Sequence, residues 1–218
     1  MKGLLVKDAM VVFAQRKKFI ILFIGISLML SFKMDATFIV SYLCLIGMIL
    51  GLNAYNYDEN NNGMPFIMTL PSTRKAYALE KHLFSMMTVT VFWLLGLIMQ
   101  FFANMIQKVD MDFATQFPTY LKFWVLFLAF TSIVTFVEIR FGTERSRIVI
   151  LLAGGLCFVI AAYGRQLLMN LGVDVSGITD LIASVPPTVL TAAEILLIAA
   201  AICVSAFLSM RTLEKRDF

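Results

Sequence analysis

Residues 53–81, NAYNYDENNNGMPFIMTLPSTRKAYALEK, form the longest water-compatible interval in this chain and lie between two apolar runs. The stretch divides into an acidic, amide-rich piece (55–62), a break at Gly63, an apolar segment framed by Pro65 and Pro71, and a Ser72-Thr73 pair opening a basic helix. Either hydroxyl can accept from the exposed N–H groups at that helix start. Pro65 suits a first helical turn and Pro71 cannot extend one, so residues 66–70 form one or two turns at most. Met64, Ile67 and Met68 fall at i, i+3 and i+4 and share one side of this stub. Such a knob suits a hydrophobic socket on another protein, and equally a fold-back onto the chain's own helices.

The composition on either side belongs to a bilayer. Of the 218 residues 60% are hydrophobic and only 15% charged, with a mean hydropathy of +0.87. Six apolar runs, 19–32, 37–52, 83–106, 123–139, 148–163 and 189–210, alternate with short charged clusters. That pattern predicts a single all-α polytopic membrane domain over 1–218 with six transmembrane helices, because lipid cannot satisfy an open backbone. The first two runs are roughly 21 and 24 Å long as helices, short of a hydrocarbon core of about 30 Å. Lys18 and Lys33 make up the difference by snorkelling, with a tight turn at 33–36.

Ahead of the first run, Leu5, Ala9, Val12 and Phe13 recur at i, i+4, i+7 and i+8, with Lys7, Asp8 and Gln15 opposite. This predicts an interfacial amphipathic helix over 1–18, closed by Arg16-Lys17-Lys18. No small-residue cleavage site follows a short apolar core, so the N-terminus is expected to be mature sequence. Fourteen of the eighteen Lys and Arg fall on one side of the predicted spans, and Lys33, Lys108, Lys122 and Arg165 on the other. Both termini and the loop 53–82 are therefore expected in the cytoplasm. The net charge of +4 is this topology signal; no basic cluster interleaved with stacking aromatics points to nucleic acid. On the outer side Ile178, Leu181, Ile182 and Val185 recur at helical spacing before Pro186-Pro187, so 169–188 reads as a lid-like or surface-lying segment.

Signatures of chemistry are missing from the sequence. It has no His-Glu-x-x-His, no Gly-x-Ser-x-Gly and no Gly-x-x-x-x-Gly-Lys loop, and Cys44, Cys157 and Cys203 all sit in apolar runs as packing residues. His82 falls at a membrane edge, in an interfacial or capping position. Glu138, Arg140, Arg165 and Glu194 lie near span ends, where edge solvation accounts for them as readily as an ion relay. Gly47-x-x-x-Gly51 permits close helix approach, either at a dimer seam or within the chain. The 20 Phe and 14 Met residues suit lipid-facing helices and would also make an accommodating lining for amphipathic cargo.

Tyr57-Asp58-Glu59-Asn60, Leu70-Pro71-Ser72-Thr73-Arg74 and Glu80-Lys81, placed between the second and third of six runs, resemble the permease subunits of bacterial exporter-type ATP-binding-cassette (ABC) transporters. Within that class the chain looks most like phenol-soluble modulin and antimicrobial-peptide exporter permeases. The resemblance implies a plasma-membrane protein that is not itself an enzyme and binds no cofactor. Two copies of a separate ATPase subunit would handle ATP and Mg, and a second permease, identical or paralogous, would complete the complex. It also implies that Met64, Phe66, Ile67, Met68 and Leu70 seat in the ATPase, with Tyr57, Asp58, Glu59, Pro71, Ser72, Thr73 and Arg74 around them. The connection 141–147, with Glu144 and Arg145, would be a secondary contact. The expected cargo is an amphipathic peptide. An ion-coupled carrier and a non-transporting anchor or sensor subunit are the alternatives.

Overall fold

The computed structural model describes residues 2–60, 63–69, 73–107, 113–170 and 187–215, and every element among them is an α-helix. In chain order these are α1 (Lys2–Leu30), α2 (Ala36–Asn60), α3 (Gly63–Thr69), α4 (Arg74–Gln107), α5 (Phe113–Phe141), α6 (Thr143–Asn170) and α7 (Pro187–Glu214). The lid-like outer segment falls almost wholly outside the described residues, as do Leu70, Pro71 and Ser72.

Four helices among the described residues are long and apolar enough to cross a membrane, over Ala36–Glu59, Arg74–Gln107, Thr115–Phe141 and Thr191–Glu214. The remaining two of the six apolar runs lie in α1 and α6. The α1 run is short and shares its helix with Arg16, Lys17 and Lys18, which dilute it.

Residues 1–18 were expected to form a helix of their own, and α1 instead continues without interruption to Leu30. No Gly or Pro stands between Gln15 and Phe23 to break it. Its buried side also differs in part from the expected one. Of the expected face Val12 is buried and Leu5 and Ala9 pack half-buried against the core, but Phe13 is exposed, and Leu4 and Asp8 are buried in its place. Asp8 turns inward because two lysines await it there, as described below.

The centre of the bundle is the antiparallel pair α2 and α4. A Cβ on Gly47 would lie 2.8 Å from the Thr88 carbonyl, and one on Gly51 2.7 Å from Ser85 Cα. The spacing singled out in the sequence therefore serves contact within the chain, with α4 filling the face that a dimer seam would need. Gly96 on α4 returns the relationship, facing Val40.

Against this pair α5 packs through aromatic rings. Trp93 and Trp124 stack at 5.2 Å between centroids. The Trp93 indole N–H donates to the Tyr120 carbonyl and that of Trp124 to Thr90 Oγ1, both at 3.1 Å. Small hydroxyl residues bring α7 close to α5, where Ser205 Oγ donates to the Ser132 carbonyl at 2.6 Å. Large apolar side chains such as Met29, Met105, Leu151 and Leu196 cover the outside, as a lipid-facing surface requires.

Candidate functional site

The polar stretch 53–81 is now divided among three helices. The acidic piece extends α2 by more than two turns, to Asn60. Pro65 sits in the first turn of α3, which ends at Thr69 before Pro71. Thr73 then caps α4, its Oγ1 accepting from the Ala76 N–H at 3.1 Å. From Arg74 the helix runs 34 residues to Gln107, a rod of roughly 50 Å.

Seen from the tip, α3 has two unlike sides. Met64 and Ile67 are buried in a cluster with Leu4, Tyr55, Tyr77, Ala78, Ile139 and Leu213, so five other helices meet beneath them. Pro65 and Thr69 face outward, and Phe66 is 69% exposed. Of the two destinations open to the knob, Met64 and Ile67 take the chain's own bundle, and Phe66 is the apolar side chain presented outward. The Met68 side chain lies outside the described residues.

Beside that cluster lies a buried ionic network. The Lys7 ammonium donates to both Asp58 oxygens at 2.7 Å and stands 2.9 Å from Asp8. Lys81 pairs with Asp58 at 2.8 Å and closely with Asp8. The Tyr77 hydroxyl donates to Asp58 Oδ2 at 3.0 Å, and the Lys81 ammonium lies 5.0 Å from the Tyr77 ring centre. Two cations and two anions thus balance, with Glu80 buried next to them. Burial lowers the affinity of Lys7 for its proton, but the hydrogen bonds to Asp58 and Asp8 outweigh it and hold the pKa above the ordinary lysine value. The network locks α1, α2 and α4 together at the base of α3.

A second clasp joins the two loops. Glu59 Oε2 accepts from the Thr143 N–H and from its hydroxyl, each at 2.5 Å. This carboxylate sits at the N-terminus of α6, where the helix dipole favours it. Between α5 and α6 Gly142 adopts φ +79°, and a Cβ there would meet the Glu59 carboxylate at 2.7 Å. Glu144 and Arg145 are exposed on the next turn. At the other edge Arg74 donates to the Glu214 carbonyl at 3.0 Å and Lys75 pairs with the Glu214 carboxylate at 3.0 Å.

Of the residues expected around a partner, Phe66, Thr73, Glu144 and Arg145 are therefore exposed. Asp58, Glu59 and Arg74 make polar contacts within the chain, and Tyr57 lines a cleft against α1.

Sequence reasoning missed the ionic network, although one signal was present: Leu4, Asp8 and Val12 fall at i, i+4 and i+8, an acid inside an apolar stripe. It also placed His82 at an edge, whereas the ring is buried between Ser132 (3.1 Å from Nδ1) and Ser209 (2.8 Å from Nε2). Ser209 already donates its hydroxyl proton to the Ser205 carbonyl. Its oxygen must then accept from Nε2–H, which leaves Nδ1 to accept from Ser132. His82 is a cross-brace among α4, α5 and α7.

Residues 3–214 match a family model described as ABC-2 family transporter protein. None of the curated proteins matches the chain, and none of the solved structures does.

Proposed function

This chain belongs to the ABC-2 family of transporter proteins, and from that premise we propose that it is the membrane subunit of an ATP-driven exporter of amphipathic or hydrophobic peptides. In this reading α1, α2, α4, α5, α6 and α7 span the bacterial plasma membrane, with both termini and the loop 53–82 cytoplasmic. Two copies of a separate ATPase subunit bind ATP and Mg, one docked on each of two permeases, identical or paralogous.

The observation that carries the reading is Phe66. A large apolar side chain 69% exposed, on a short helix whose other face is pinned and which lies in the cytoplasmic loop of this reading, is the kind of anchor that a hydrophobic socket on a partner accepts. The exposed turn at Glu144 and Arg145 offers the secondary contact. Rigid attachment completes the device: α3 rests on Tyr77 and Ala78, in the first turns of the same rod that passes through the membrane. Closure of two ATPase subunits would tilt both rods together and open a path between permeases.

Phe66→Asp in the full chain, reconstituted with its ATPase, tests this. Membrane insertion should be retained, and both copurification of the ATPase and cargo-stimulated ATP hydrolysis should be lost. Coupling unchanged from wild type would remove the proposal. One observation favours the alternative of an ion-coupled carrier: Glu138 is buried inside a candidate span, and its Oε2 has no hydrogen-bond partner among the described residues. Transport that persists after ATP depletion with an ion gradient intact would select that reading.

A further inference from the structure

We propose that the cleft between α1, α2 and α6 binds the phosphate group of an anionic phospholipid. Its volume is about 140 Å3, and its polar lining is Gln15 and Arg16 from α1, Asn53, Asn56 and Tyr57 from α2, and Arg147 from α6. This is well below the roughly 300 Å3 at which sites for drug-sized molecules begin, so the cleft takes a headgroup fragment and not a cargo molecule. Two arginines from helices far apart in sequence converge on it, the residue type that grips phosphate oxygens through a planar fork of donors. Asn53 Oδ1 accepts from Arg16 Nη2 at 3.2 Å, which orients that guanidinium and leaves its other N–H groups for a ligand. The nearby carboxylates, Glu59 and Glu138, do not line the cleft, and Glu59 is held by Thr143.

The position selects a lipid over a free ion. Each helix changes from polar to apolar at this height: Arg16-Lys17-Lys18 precedes Phe19 on α1, Leu52 precedes Asn53 on α2, and Arg147 precedes Ile148 on α6. Ile148, Leu151 and Leu152 are exposed on the turns of α6 that follow Arg147, a surface for acyl chains beside a basic pocket. The inference needs membrane insertion and is independent of cargo, direction and ATPase.

The test uses the full chain in nanodiscs of dioleoylphosphatidylcholine and dioleoylphosphatidylglycerol at roughly 4:1, followed by native mass spectrometry of the phosphatidylglycerol retained. Wild type should retain it, and R16Q/R147Q should retain roughly tenfold less. R16K/R147K, which keeps the charge without the fork, should fall between them and serves if the glutamine variant misfolds. K17Q/K18Q removes as much charge outside the cleft and should match wild type. Equal retention by wild type and both Arg16/Arg147 variants, or an equal loss in K17Q/K18Q, overturns the site. Inorganic phosphate at millimolar concentration should fail to displace the lipid; displacement would overturn the lipid assignment in favour of a soluble phosphate.

Discussion

Lys81 on α4 and Asp58 on α2 pair at 2.8 Å with side chains only 1% and 4% exposed. Removing Asp58 leaves two ammonium groups, Lys7 and the buried Lys81, facing the one carboxylate of Asp8, so Asp58→Asn should destabilise the protein by about 3–5 kcal/mol. Asp58→Asn combined with Lys81→Met leaves Lys7 and Asp8 to balance each other at 2.9 Å. The double variant should therefore melt above either single one in detergent, and a double variant no better than the sum of its parts would deny the pairing.

The two sides of α3 should separate in stability measurements. Ile67, 4% exposed within the apolar cluster, should cost about 2–5 kcal/mol when changed to alanine. Phe66→Ala should stay within about 0.5 kcal/mol of wild type. Thermal melts of the two purified variants decide it, and comparable losses would mean that Phe66 is not the outward residue.

Gly51 and Gly25 make a matched pair. A side chain at Gly51 meets Ser85 Cα and the Thr88 hydroxyl, whereas one at Gly25 meets nothing within 4 Å. Gly51→Val should push α2 from α4 and lower stability by about 1–3 kcal/mol or more. Gly25→Ala should be neutral or raise it by up to about 1 kcal/mol through helix propensity. Comparing the two melting temperatures distinguishes packing from propensity.

Lys7 links stability to alkaline pH. Its folded pKa lies above the ordinary lysine value of 10.5, so its contribution is complete below that value and is lost as pH rises through the folded one. Lys7→Arg, which stays charged, should hold its melting temperature to higher pH than wild type. Melts recorded across pH 10.5 give the comparison, and identical alkaline limbs would exclude Lys7 as their source.

The residues that change backbone behaviour announced themselves in the sequence. Pro65 and Pro71 bracket α3, and Thr73 begins a helix that continues past Lys81 and His82 as their neighbours allow. Where partners come from distant helices, periodicity is blind. Asp8 reads as a polar-face residue until Lys81, 73 positions away, is seen to face it. His82 reads as an edge residue until Ser132 and Ser209 enclose it. The Gly47 and Gly51 spacing announced a close neighbour without saying whose helix it was.

The Glu59–Thr143 clasp has a mechanical corollary. Because one carboxylate grips the start of α6 while its own helix carries α3, the tip and the elbow at Gly142 are prealigned before any visitor arrives. A partner engaging both meets a finished footprint and loses little freedom in assembling it. In the proposed reading a thrust delivered at either projection would be shared by the other, and the two would move as one cam rather than as separate levers.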